Sequence, residues 1–278
     1  MKSLSALLFL ISVLFSPLFS QSELLLDGFG FTEGPVVDNK GNLYFTDIPE
    51  SRIYVYYNDK LDIFLENSGG ANGLYFDTNN NIIACAGKAR QVISISPAGE
   101  IVVIASEYEG KKLNSPNDLW VDPQGGIYFT DPRYGDREDL EQDGMHVYYV
   151  SPDKNIVRVT KDLVRPNGII GTPDGKILYI IDQGVEKTFR YRIKKNGQLG
   201  GKNVFADYGT DGMSIDNEGN IYITNGKNID LYNNSGELMK TYEFPAFTTN
   251  VVWSEQAVYV TTQAGQVFII RNPVEGDK

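Results

Sequence analysis

The 278-residue sequence holds one cysteine and one histidine. A single cysteine, Cys85, excludes an intramolecular disulfide. It lies in the apolar stretch "NIIACAG" with no cationic neighbour to stabilise a thiolate, so a buried structural thiol is expected. A single histidine, His146, excludes a histidine dyad and a His-rich metal site. It falls within the strand-like "GMHVYYV" and reads as structural. Basic side chains are also scarce, 25 against 36 acidic ones, for a net charge of -11. That balance disfavours nucleic acid and anionic membrane surfaces, and leaves cations or neutral small molecules as partners.

Long apolar runs are missing from most of the chain, and so is any sustained helical period. The exception is the N-terminal "MKSLSALLFLISVLFSPLFS", with one Lys, an apolar run from Leu4 to Phe15, then Pro17 and Ser20. The run is too short to span a membrane, so residues 1–20 are expected to be a signal peptide and residues 21–278 one exported domain. Export without disulfides suits a periplasmic or secreted protein stabilised by its core, with no membrane attachment after cleavage.

What fills the remainder is a repeated phrase. It opens at Glu33 ("EGPVVDNKGNLYFTD"), Asn72 ("NGLYFDTNNNIIACAG"), Asn117 ("NDLWVDPQGGIYFTD"), Asn167 ("NGIIGTPDGKILYIID"), Asp211 ("DGMSIDNEGNIYIT") and Asn250 ("NVVWSEQAVYVTT"), at intervals of 39 to 50 residues. Each copy reads as a short strand, a tight Asp/Asn/Pro/Gly turn and a second strand with alternating apolar residues. Third strands follow ("RIYVYY", "RQVISIS", "MHVYYVS", "TFRYRI", "IDLYNN"), and fourth strands such as "LDIFLE", "EIVVIA", "NIVRVT" and "ELMKTYEF". Four antiparallel strands in each of six repeats predict an all-β fold, a six-bladed β-propeller. The last copy has only "GQVFII" after its second strand, and "SELLLDGF" at residues 22 to 29 can supply the missing outer one. Ring closure by both termini removes an exposed edge. A β-sandwich pair or an open solenoid are the alternatives.

In such a ring the first strand of each blade lines the central channel, and the six openers converge on its mouth. All six are acids or asparagines. Asn and Asp also serve as ordinary turn residues, but Glu33 has no special turn chemistry. Two carboxylates and several amides gathered in a channel repel one another or stay unsatisfied without a cation. Oxygen donors of this kind suit Ca²⁺ first, with Mg²⁺, Mn²⁺ or Zn²⁺ as alternatives.

The run "YEGKKLNSPNDLWVDPQGGIYFTDPRYG", with "EGPVVDNKGNLYFTD" before it and "RPNGIIGTPDGKILYIID" and "DGMSID" after it, resembles the senescence-marker-protein, gluconolactonase and luciferin-regenerating-enzyme family. The resemblance covers nearly the whole chain after the leader. It implies a six-bladed propeller with one divalent cation, held by Glu33, Asn117, Asn167 and Asp211. It implies a hydrolase that opens sugar lactones, in which the cation polarises the carbonyl and water attacks. Asp211 is then both ligand and base, with Asp118 beside the ligand set as the other candidate base. The "DPRYG" loop either offers Asp131, Arg133 and Tyr134 to sugar hydroxyls or is a plain turn. Asn72 and Asn117 are candidate substrate contacts. Ser115 stands where family members that open aldonolactones carry Arg, and Ala86 and Gly87 stand where gluconolactonase-like members carry an acid and a histidine. Two other readings remain open: a non-catalytic propeller that binds a small molecule or a protein, and a phosphotriesterase-like hydrolase.

Overall fold

The computed structural model describes residues 22–271 and Pro273, so the expected leader lies outside the described residues. Six four-stranded antiparallel sheets form the blades of a propeller. The innermost strands are Thr32–Val37, Ala71–Phe76, Leu119–Val121, Pro166–Gly171, Met213–Ile215 and Thr248–Trp253, for blades 1 to 6. Each contacts the innermost strand of the blades on either side, so the ring is closed. Glu23–Leu26 pairs antiparallel with Val267–Arg271 and completes blade 6 as its outer strand.

Local chemistry explains the repeat. In blades 1, 2, 3 and 5 an Asp just after the inner strand accepts backbone N–H groups across the next turn, for example Asp38 Oδ1 from Lys40 and Asn42, at 2.9 and 2.8 Å, and Asp216 Oδ1 from Glu218 and Asn220, at 2.9 and 2.8 Å. A carboxylate that satisfies two amides reverses the chain and fixes hairpin register. A second Asp, at the end of the second strand, ties down the segment leading into the blade. Asp47 accepts from Gly30 and Phe31 N–H, Asp131 from Asn114 and Ser115, and Asp182 from Val164 and Arg165. All three are buried.

The core lies in wedges between blades. Leu43, Phe45 and Val267 pack blade 1 on blade 6, whereas Cys85, Val92, Leu119 and Phe129 join blades 2 and 3. Full burial of one such large side chain contributes about 1.5–3 kcal/mol. Cys85 is wholly buried, and His146 is buried on the third strand of blade 3, His146–Val150. Its Nε2 lies 2.8 Å from Asp143 Oδ1, away from the channel mouth.

Candidate active site

Irregular pairing aims the openers. In blades 1, 2, 4 and 6 the ladder between the first two strands slips next to the opener, between Glu33 and Val36, Ala71 and Leu74, Pro166 and Ile169, and Thr248 and Asn250. In blades 3 and 5 the ladder starts only after it, at Leu119 and Met213. A bulge frees a side chain from the pleat and turns it inward. Threonines of the second strands hold the freed backbone: Thr224 Oγ1 accepts from Asp211 N–H at 2.8 Å, and Thr46 Oγ1 donates to Asn72 O at 3.1 Å.

Glycines draw neighbouring blades together at this level. Gly73, Gly168 and Gly212 follow openers and donate N–H to Asn117 O, Asp211 O and Thr249 O, at 2.8 to 2.9 Å. A Cβ on Gly168 would stand 2.2 Å from Asp211 O, and one on Gly212 2.0 Å from Asn250 Oδ1. The mouth is as narrow as it is because these positions carry no side chain.

A cavity of about 660 Å³ opens there, and Glu33, Asn72, Asn117, Asn167 and Asp211 all line it. Asn250 and Asp118 do not. They line a smaller cavity of about 50 Å³ beneath, between the inner strands. Asn250 Nδ2 donates to Glu33 Oε2 at 3.0 Å, and Gly34 N–H donates to the same oxygen at 2.9 Å. Both bonds fall on Oε2 and leave Oε1 to the cavity. Asp118 accepts N–H from Leu119 at 2.9 Å and from Ile169 at 3.4 Å. It braces blades 3 and 4 from below the mouth.

Burial dominates the electrostatics. It pushes the Glu33 carboxyl up to about 8, with the Asp118 charge adding to the shift and the Gly34 N–H and Asn250 amide opposing it. Burial likewise raises Asp118 to about 7. Asp211 keeps an open face to the cavity but is otherwise enclosed, and burial and then the Glu33 charge hold it well above the usual carboxylate range. No cationic side chain contributes to any of these three shifts. Among the described residues no three Asp, Glu, His or Cys group as a metal site, so a cation here would need amide oxygens to complete its ligands.

The "DPRYG" loop divides its labour. Asp131 is fully buried as the backbone clamp described above. Arg133 braces the loop: Nε donates to Asp136 O at 2.8 Å, Nη1 to Asn114 O at 2.9 Å, and Nη2 pairs with Asp139. It is absent from the described cavity wall. Tyr134 does reach the wall, where its hydroxyl accepts from Asn167 Nδ2 at 2.7 Å and donates to Gln183 Oε1 at 2.9 Å.

Residues 31–264 match the family described as the SMP-30/Gluconolactonase/LRE-like region. The chain belongs to that family. A gluconolactonase from Zymomonas mobilis is 29% identical over 251 residues, covering 78% of this chain and 70% of the relative. The solved structure of a gluconolactonase from Xanthomonas campestris matches with a TM-score of 0.84 at 26% identity, over 90% of this chain and 89% of that one. Regucalcin from Agrobacterium tumefaciens, a calcium-binding protein, shares the fold, with a TM-score of 0.75 at 20% identity, over 89% of this chain and 92% of that one. Membership of the SMP-30/gluconolactonase family supports a lactone hydrolase.

Sequence reasoning misses the outer wall of the cavity. Phe31, Ile48 and Phe247 form an apolar side, while Lys88, Gln183 and Gln263 supply polar groups. Each lies outside the openers by which the repeat was aligned, so the position that identifies Glu33 or Asn167 carries no signal for them.

Proposed function

We propose that this protein is a divalent-cation-dependent lactonase, with Ca²⁺ as its cation and a sugar lactone as its substrate. The observation that carries this reading is the convergence of Glu33, Asn117, Asn167 and Asp211 on one cavity, where no basic side chain contributes to the electrostatics of the two enclosed carboxylates. Buried like charges without a counter-charge are costly, and a hard cation with oxygen ligands removes that cost. The donor set fits the group: neither Glu33 Oε1 nor the Asn167 amide oxygen accepts a described hydrogen bond, the Asn167 NH₂ being shared between the Tyr134 hydroxyl and Asp211. When bound, the cation would polarise the lactone carbonyl and stabilise the charge that develops on its oxygen.

The protein's own groups do the rest. Asp211 faces the cavity with a carboxylate that accepts no backbone N–H, so one oxygen can take the proton from attacking water. The ring C–O bond then breaks, and the same proton passes to the departing ring oxygen, giving a hydroxy acid. Asp118, which lines the lower cavity, sets the field on Glu33 and Asp211 from beneath. Asn72 presents a buried side-chain oxygen with no hydrogen-bond partner beside the reacting centre, suited to a substrate hydroxyl or water. Export to the periplasm or the medium belongs to the same proposal and rests on the apolar leader.

Treating purified protein with a chelator and assaying a panel of aldonolactones tests the reading. Turnover is expected to vanish and to return with Ca²⁺. Asp211→Asn is expected to lower kcat by about 10²-fold or more, the usual worth of a general base. Chelator-insensitive turnover, or none on any lactone with cation present, overturns the proposal.

A further inference from the structure

The cavity is two-sided. Phe31, Ile48, Pro49 and Phe247, from blades 1 and 6, make one wall apolar, whereas the sector of blades 2 and 3 carries Asn72, Lys88 and Ser115. Lys88 is the one basic residue among the described residues that line the cavity. Its placement is built rather than accidental. The flanking backbone is tied to the segment before the second inner strand, with Gly87 N–H on Gly70 O at 3.1 Å and Ala89 N–H on Gly69 O at 3.0 Å. Gly70, at φ +66°, has no side chain, and a Cβ there would stand 2.6 Å from Lys88 Cβ and 3.5 Å from its Cδ. The lysine stem therefore lies across a bare glycine along the cavity wall. Beside it, Gly87 forms a recess that a side chain would fill: its Cβ would stand 3.0 Å from Ser115 Oγ and from Pro116 O.

No described ion pair engages Lys88. The protein as a whole is strongly acidic, so its long-range field repels anions. Within about one Debye length, roughly 8 Å at physiological salt, the local charge decides instead. We propose that Lys88 forms an anion subsite, and that the preferred substrate is a lactone bearing a carboxylate or phosphate group. This rests on the lactonase reading for the reaction but not for binding. The ammonium donates to the anionic group on the blade 2 side, the Asn72 oxygen accepts from a hydroxyl of the same substrate, and the lactone ring stays at the mouth with its less polar face on Phe31 and Phe247. The global charge excludes anions as a class, while this one cation readmits those whose reactive ring also fits.

The test compares a neutral aldonolactone, its phosphate ester and the lactone of a dicarboxylic sugar acid, each with wild type, Lys88→Met and Lys88→Arg. Wild type is expected to favour the anionic lactones by about tenfold in kcat/KM. Lys88→Met should lower the anionic-to-neutral ratio at least about fivefold, mainly through KM, and Lys88→Arg should keep most of it. Phosphate and carboxylate probes that respond differently tell which anion the subsite takes. Equal losses on neutral and anionic lactones, or a wild-type preference for the neutral one, overturn the proposal. Calorimetry with the open-chain dicarboxylate and Ca²⁺-loaded protein reads the same subsite without turnover. Lys88→Met should weaken that binding about fivefold or more, and unchanged affinity overturns the subsite whatever the kinetics. Dicarboxylate binding that depends on Lys88, in a protein that opens no lactone, would keep the subsite and sink the lactonase.

Discussion

Tyr134 links two blades through one hydroxyl, taking a hydrogen bond from Asn167 and giving one to Gln183. That hydroxyl helps to hold the Asn167 amide in place. The same NH₂ also serves the Asp211 carboxyl, so the hydroxyl and the carboxyl together fix the plane of the amide. Tyr134→Phe removes the restraint without removing the ring that packs under Arg165, 5.4 Å from the guanidinium. If Asn167 holds the proposed cation, loss of a group that orients it should follow the usual pattern of a 10–100-fold cost in affinity. Titration of the variant with Ca²⁺ should show about a tenfold weaker Kd, with the thermal midpoint in chelator little changed. An unaltered Kd would mean that the hydroxyl serves only the loop. The role of Tyr134 is half legible in the sequence: "DPRYG" marks it as a rim residue, but its partners come from blade 4 and so from residues 33 and 49 positions away. Asp131 and Arg133 from the same motif turn instead to backbone and to Asp139, because side chains two residues apart on a loop face different neighbours.

Among the elements, the first two strands of every blade and the closing strand are legible, since period-two alternation and Asp-rich turns are local signals. The outer strand of blade 4, Leu199–Ala206, is not, because Gly200 and Gly201 interrupt its alternation. The hairpin of Glu107–Tyr108 and Lys111–Lys112 is too short to leave a pattern. The glycines after the openers are visible as letters, yet their purpose depends on the next blade and cannot be read within one repeat. Gly168 makes the point testable. Its φ is not in the left-handed region, so alanine there is opposed by sterics alone, with Asp211 O 2.2 Å and Gly212 Cα 2.9 Å from the added carbon. Overpacking of this kind costs about 1–3 kcal/mol. Gly168→Ala should shift the urea midpoint down by a corresponding amount, and should weaken Ca²⁺ binding as Asp211 is pushed off its position. A variant as stable as wild type, with full affinity, would show that the blades can part without disturbing the mouth.

For the whole molecule, closing the ring forces together carboxylates that lie 85 to 178 residues apart in the chain, Glu33, Asp118 and Asp211. Folding itself therefore creates the electrostatic cost. Glu33 rises from an ordinary value of 4.5 to about 8, Asp118 from 3.8 to about 7, and Asp211 moves in the same direction, each chiefly through burial. A carboxyl raised on folding binds its proton more tightly in the native state. Its stabilising effect is thus complete below the unfolded value and disappears as pH climbs through the folded one, a window from about 4 to 8 here. Each tenfold gain in proton affinity on folding is worth roughly 1.4 kcal/mol, so the combined loss in metal-free protein is on the order of several kcal/mol. In chelator the thermal midpoint should fall steadily from pH 5 to pH 8. On the proposed reading, Ca²⁺ would bind only the gathered, ionised set, and at a hundredfold excess over Kd would add about 2.7 kcal/mol. Protons would compete with it for the same oxygens, so the Ca²⁺-induced rise in midpoint should be small at pH 5 and largest near pH 8. A chelated protein whose midpoint stays level across that range, or a Ca²⁺ effect that shrinks as pH rises, would show that closing the ring leaves these three carboxylates without the mutual cost on which a cation acts.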